Sequence, residues 1–218
     1  MPKLRVNAFS VSIDGYGAGA GQSIDDPLGA GGMALHEWIL GTRTFRAMVG
    51  DAAPDGKAPR EDADDAYAAR AMENLGAWIL GRNMFAPSRG PWPDDGWKGW
   101  WGDNPPYHVP VFVLTHHARA PLTMEGGTTF HFVTDGIHAA LDRAKAAAGG
   151  KDIRIGGGAA TIRQYLGAGL VDVIHLAIAP ALLGAGENLL AGIDLVKLGY
   201  RCTEHAASSH AMHVVLTR

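Results

Sequence analysis

An α/β fold built on a largely parallel sheet is what this sequence predicts, and three observations carry the prediction. Apolar runs of strand length alternate with helix-like periodicities along the chain. Glycines punctuate the exits from strands, above all Gly156, Gly157 and Gly158 in "DIRIGGGAATIRQYLGAGLVDVIHL" (152–176), a strand, turn, helix, strand unit. The last two strand-like runs are joined by a very short connection, which suits an antiparallel pair, so a hairpin is expected at one edge.

Each element has its own reason. Leu4, Val6, Ala8, Phe9 and Val11 make residues 4–12 a buried strand, ended by the glycines of "SIDGYGAGAGQ". Leu35, Trp38, Ile39, Thr42, Phe45 and Val49 recur at helical spacing, predicting one amphipathic helix over 34–50 with Gly50 as its stop. Residues 51–62 read as a polar loop, followed by a helix over about 64–75, a short buried strand at Ala77–Leu80 and a turn at Gly81 that opens another helical turn.

The stretch 88–110 is dense in Pro, Gly and Trp and sustains neither periodicity, so it reads as an irregular excursion. Its Trp92, Trp97, Trp100 and Trp101 are expected to anchor it, as aromatics in irregular segments commonly do, rather than to roof a ligand. Strands are expected over about 109–115 and 128–133. Asp135 is placed as the N-cap of a helix whose Ile137, Ala140, Leu141 and Ala144 face the core and whose end is marked by Gly149. After the glycine unit come a strand over Val171–Ala179, a glycine-containing loop, and strands around 200–208 and 211–217. With no internal repeat and no linker, residues 1–218 read as one domain.

Composition narrows the functional classes. The chain has 218 residues, 47% hydrophobic and 19% charged, enough for a substantial core, and a formal charge of −3 with no Lys/Arg run. Nucleic acid and anionic membrane are therefore not expected as partners. A single cysteine, Cys202, excludes an internal disulfide and a Cys-based zinc site, and the ten histidines show no close ligand spacing, so no metal is expected. The apolar stretch near the N-terminus is too short and interrupted for a signal peptide or a span, which points to a cytoplasmic protein.

In a parallel sheet, ligands bind beyond the carboxyl ends of strands, where helix N-termini present free N–H groups. Three places here have that form: Gly81, Arg82 and Asn83; Thr115, His116 and His117; and the glycines with Ala159, Ala160 and Thr161. Together they describe a cradle for a dinucleotide. The chain lacks both G-x-G-x-x-G after its first strand and G-x-x-x-x-G-K-[ST], so a different nucleotide fold is needed.

Four motifs in order supply one. "FSVSIDGYGAG", "ILGRNMF", "IRIGGGAATIRQYL" and "LVDVIHLAIAPALLGAGENLL" resemble the dihydrofolate reductase superfamily, and more closely the reductase domain of the deaminase-reductases of riboflavin synthesis. The resemblance spans nearly the whole chain. It implies a dihydrofolate-reductase-like fold, an NADPH-dependent oxidoreductase acting on a C=N or C=O group, and a homodimer. Carried over by motif, Gly81, Arg82 and Asn83 would meet the adenosine phosphates. Thr115 and His116 would meet the ribose and its 2′-phosphate, and Gly157, Gly158, Ala159, Ala160 and Thr161 the pyrophosphate. Ala8, Ile13, Asp14 and Gly15 would border the nicotinamide. Arg82 has a reason of its own, because a guanidinium binds phosphate bidentately and so favours NADPH over NADH.

The substrate side is thinner. Asp65 falls near the place of the carboxylate that holds pterin in dihydrofolate reductases, yet carboxylates at a helix start need no further role. Glu37 on the preceding helix is expected to face water. Gly184 and Gly186 offer backbone donors for a polar ligand. The expected substrate is a small heterocyclic or sugar-linked compound, similar to 5-amino-6-(5-phosphoribosylamino)uracil. The alternatives are a noncatalytic NADP-binding sensor and a true dihydrofolate reductase.

Overall fold

The structure is a computed structural model that describes residues 2–50, 56–86, 88, 90–93 and 96–218. Among the described residues nine strands make one sheet, β1 (Leu4–Ser12), β2 (Leu75–Gly81), β3 (Pro110–Leu114), β4 (Leu122–Thr123), β5 (Thr129–Val133), β6 (Asp152–Gly157), β7 (Val173–Ala179), β8 (Arg201–Ala207) and β9 (Met212–Thr217). Their order is β4-β5-β3-β2-β6-β1-β7-β9-β8. From β5 across to β7 every pairing is parallel, and β4 at one edge and β9 with β8 at the other run antiparallel. The fold class and the C-terminal hairpin are as expected.

Among the described residues six α-helices accompany the sheet: α1 (Glu37–Leu40), α2 (Arg43–Val49), α3 (Ala63–Arg70), α4 (Arg82–Phe85), α5 (Gly136–Ala147) and α6 (Ala159–Gly167). Ala140, Leu141 and Ala144 of α5 and Ile162, Tyr165 and Leu166 of α6 join Val6, Ile79, Ile153, Ile155 and Ile174 of the strands in the largest buried cluster. A second cluster joins Trp78, Leu80, Val111, Val113, Phe130 and Phe132 to Phe85, with Trp92, Trp97 and Tyr107 packed against it, so the aromatic excursion is anchored.

Several local expectations are corrected. The single helix over 34–50 is three pieces, a 3-10 turn at Gly32–His36, then α1 and α2. The break falls at Gly41 and Thr42. Thr42 is extended and accepts a hydrogen bond from the Phe45 amide as the N-cap of α2, while its backbone bridges to Arg60. The stop at Gly50 is as expected, in the left-handed conformation. α3 ends at Arg70, earlier than the periodicity implies, and β2 begins at Leu75. Asp135 occupies the N-cap position of α5 without capping it, because its carboxylate reaches forward to Arg143 at 2.7 Å. The two-residue strand β4 has no counterpart in the sequence reading. Residues 51–55 of the polar loop lie outside the described residues.

Among the described residues, no helix is long and apolar enough to cross a membrane.

Candidate functional site

Four strand ends open onto one cleft of about 340 Å³. Arg82 and Asn83 enter it after β2, Thr115, His116 and His117 after β3, Thr134 and Gly136 after β5, and Thr161 and Gln164 from α6 after β6, with Ser88 and Gly90 of the excursion as a rim. Cations, hydroxyls and amides line it, and among the described residues no carboxylate does. The arrangement follows from the parallel sheet, which turns all these strand exits the same way.

The three glycines that follow Ile155 serve three purposes. A Cβ on Gly156 would lie 2.6 Å from Leu80, so this position is set by packing within the sheet. Gly157 has φ +119°, a conformation side chains rarely adopt, and a Cβ there would press on Phe9 at 3.0 Å. Gly158 has nothing within 4 Å of its Cβ position, which leaves its backbone accessible at the start of α6. The Thr161 and Ile162 amides of that nine-residue helix already donate to the Gly158 carbonyl, the two amides before them precede its first helical bond, and the helix dipole favours an anion there. Gly81 allows the close approach of Thr161, whose hydroxyl would lie 2.2 Å from a Cβ.

Arg82 is the charged centre of the cleft. One terminal nitrogen donates to the Thr115 hydroxyl at 3.3 Å and the other to Ser88 at 3.2 Å, while its buried Nε has no partner among the described residues. Burial, and then the nearby Arg119, make its protonated form harder to hold than for a free arginine. A cation held among hydroxyls with a free donor fits a phosphate ligand. The residues present therefore fit the phosphates of a dinucleotide.

The expected nicotinamide neighbours lie outside this cleft's lining: Ala8 sits in the middle of β1, whereas Ile13, Asp14 and Gly15 follow the carboxyl end of that strand. That end adjoins the glycine turn through the contact of Phe9 with Gly157. Asp14 accepts from Ser12 at 2.5 Å and from the amides of Leu183 and Gly184 at 3.2 and 2.7 Å, and these bonds, Ser12's first, hold its carboxyl below the usual range. The amide of Gly184 is thus already used. Gly186 packs where a Cβ would meet the Ala18 carbonyl, and the Gly15 carbonyl accepts from Leu189. These residues lock the first turn to the loop after β7. Asp65 is buried and takes the Thr44 amide at 2.7 Å, serving the start of α2, and Glu37 is exposed.

A second polar cluster lies under α3, unforeseen from the sequence. Ala8 sits at φ +50° in an irregularity of the β1–β7 register, and its amide donates to His175 Nδ1 at 3.0 Å. An amide can only donate, so neutral His175 carries its proton on Nε2 and gives it to His213 Nδ1 at 3.0 Å. His213 then donates from Nε2 to Asp64 at 2.8 Å. His213 and Asp64 are fully buried, and Tyr67 stacks on both imidazoles. Burial first, and His213 second, push His175 down to about 3. For Asp64 burial acts upward, but the bonds from His213 and Arg60 outweigh it and hold the carboxyl below its ordinary value. Asp62, Asp64 and His210 form a group of metal-ligand type, and the Arg60 guanidinium stands among them at 2.9, 2.7 and 2.8 Å.

The sheet order and the glycine cleft define an α/β domain with a polar cleft at the ends of its parallel strands. The profile of the RibD C-terminal domain family matches residues 2–214, and the chain belongs to that family. Among solved structures it is similar to a protein from Shewanella sp. PV-4 provisionally assigned to riboflavin biosynthesis. That match has 19% identity and a TM-score of 0.57, over 100% of this chain and 99% of that one. It is also similar to a pyrimidine reductase-like protein from Corynebacterium diphtheriae, with 15% identity and a TM-score of 0.51, over 99% and 91% of the two chains. A third is the diaminohydroxyphosphoribosylaminopyrimidine deaminase/5-amino-6-(5-phosphoribosylamino)uracil reductase from Thermotoga maritima. There the identity is 10% and the TM-score 0.52, and 99% of this chain covers 56% of that protein. No curated protein sequence is similar enough to count as a relative.

Proposed function

We propose that this protein is a reductase that takes its hydride from NADPH and delivers it to a C=N or C=O group of a small heterocyclic or sugar-linked compound. The observation that carries the reading is the cleft, without a carboxylate among its described residues, in which Arg82, Thr115, the two histidines after β3 and Thr161 of α6 converge beside the half-buried backbone of Gly158. Arg82 with Thr115 and His116 would hold the 2′-phosphate, and Gly157 to Thr161 the pyrophosphate. When bound, the nicotinamide supplies the hydride. The chain's own residues bind and orient it, with Phe9 and Gly157 linking the phosphate side to the end of β1.

Membership of the RibD C-terminal domain family supports a pyrimidine of the riboflavin-precursor type as the substrate class. The engagement of Asp65 with α2 gives no support to folate reduction. Titration with NADPH and NADH tests the reading. Binding should favour NADPH by about 1.5–3 kcal/mol, the worth of hydrogen bonds to a charged group. Equal affinities would remove the phosphate assignment. Turnover with a panel of ribosylaminopyrimidines and pterins, followed at the NADPH absorbance, separates a reductase from a protein that only binds the nucleotide.

A further inference from the structure

The excursion over 88–110 does more than pack. The guanidinium carbon of Arg82 lies 3.4 Å from the centre of the Trp92 ring, so the arginine rests on the indole face. The same indole donates from Nε1 to the His117 carbonyl at 2.9 Å. That carbonyl belongs to a turn in which the Thr115 hydroxyl accepts from the His117 amide at 3.1 Å. Trp92 therefore ties together two walls of the cleft, the exit of β2 and the exit of β3. Its own position is fixed from behind by edge contacts with Phe85 at 5.8 Å and Phe132 at 5.2 Å.

The indole solves a physical problem at Arg82. This guanidinium has hydroxyls but no carboxylate among its described partners, and Arg119 lies over the same ring at 5.2 Å. Two neighbouring cations would tend to swing apart, and a long side chain gains rotamer entropy by doing so. An aromatic face holds a cation without neutralising it, which leaves the charge available to an incoming anion. An acidic partner would hold the arginine equally well, but it would compete with phosphate.

We propose that Trp92 is a positioning residue for cofactor selectivity, holding Arg82 and the Thr115–His117 turn in the arrangement that receives the 2′-phosphate. The inference rests on the NADPH reading above. It is tested by dissociation constants for NADPH and NADH, with melting temperatures, for the wild type and for Trp92→Leu, Trp92→Phe, Arg82→Ala and Trp97→Phe. Trp97 also anchors the excursion, through the Phe85 carbonyl, and so controls for packing alone.

Trp92→Leu should weaken NADPH by about tenfold and leave NADH within about twofold, the scale of one cation–π contact with its preorganisation. Trp92→Phe keeps a ring face and should retain most of the preference, and Trp97→Phe all of it. If Trp92→Leu and Trp92→Phe weaken both cofactors equally, or neither, while Arg82→Ala abolishes the preference, Trp92 has no selective role and the NADPH reading stands. If the wild type binds both cofactors alike, or neither, the reading fails and the proposal with it.

Discussion

The cleft around Arg82 and the cluster under α3 contain similar chemistry, imidazoles and guanidinium groups beside hydroxyls or carboxylates, yet they are built in opposite ways. Under α3 each imidazole meets a fixed donor or acceptor, from the Ala8 amide through His175 and His213 to Asp64, and the carboxylate carries the balancing charge. Among the described residues of the cleft there is no carboxylate, and the Arg82 Nε has no partner among them. Buried polar groups that are fully paired hold a fold together, whereas convergent donors left short of acceptors mark where a ligand completes the set. Histidine and arginine content alone does not tell the two apart.

The comparison can be broken most sharply at Asp64. Removing it strands the His213 N–H and uncovers the charge of Arg60, so Asp64→Ala should lose about 3–5 kcal/mol of stability in urea unfolding. A loss below about 1 kcal/mol would show that the network is not structural. A milder probe is acid. Native His175 stays neutral down to about 3, while the unfolded imidazole takes its proton near 6.5, so the unfolded state binds protons first as pH falls. The stability this group contributes is complete above 6.5 and is lost towards 3, by up to about 1.4 kcal/mol per pH unit. His175→Asn, whose amide can accept from Ala8 and donate to His213, should flatten that slope, and an unchanged slope would place the titration elsewhere.

The smallest effect on stability is expected in the cleft. Arg82→Ala relieves a desolvated cation crowded by Arg119 and should leave the unfolding midpoint within about 0.5 kcal/mol of wild type, or raise it. NADPH affinity should fall all the same. A large destabilisation would show that Arg82 is part of the fold's own bonding and would erase the contrast.

Much of this is legible in the sequence, for identifiable reasons. The strands and the glycine turn declare themselves locally, through apolar runs and through residues that only a tight strand exit requires. Arg82, Asn83, Thr115, His116 and Thr161 can be grouped from the sequence alone because each follows a strand, and parallel strands end on the same side. The break at Gly41 and Thr42 depends on Arg60, distant in sequence, and Asp135 is drawn from its capping position by Arg143. The His175, His213 and Asp64 chain joins segments 149 and 38 residues apart, a proximity that no periodicity encodes. Ser88 and Gly90 lie in a stretch without periodicity, so their place on the rim leaves no local trace.

The place of β1 in the sheet has a consequence for how the protein is made. Among the described residues β1 pairs with β6 and β7 alone, so residues 4–12 have neither of these strand neighbours until residues 152–157 have been synthesised. At roughly 5–20 residues per second, the wait for those intervening residues is on the order of ten to thirty seconds. Throughout it a short apolar segment stands with both edges open, a state prone to pairing with other nascent chains. The ribosome thus delivers the middle of the sheet first and its closing partners much later, which makes β1 a natural segment for a chaperone to hold.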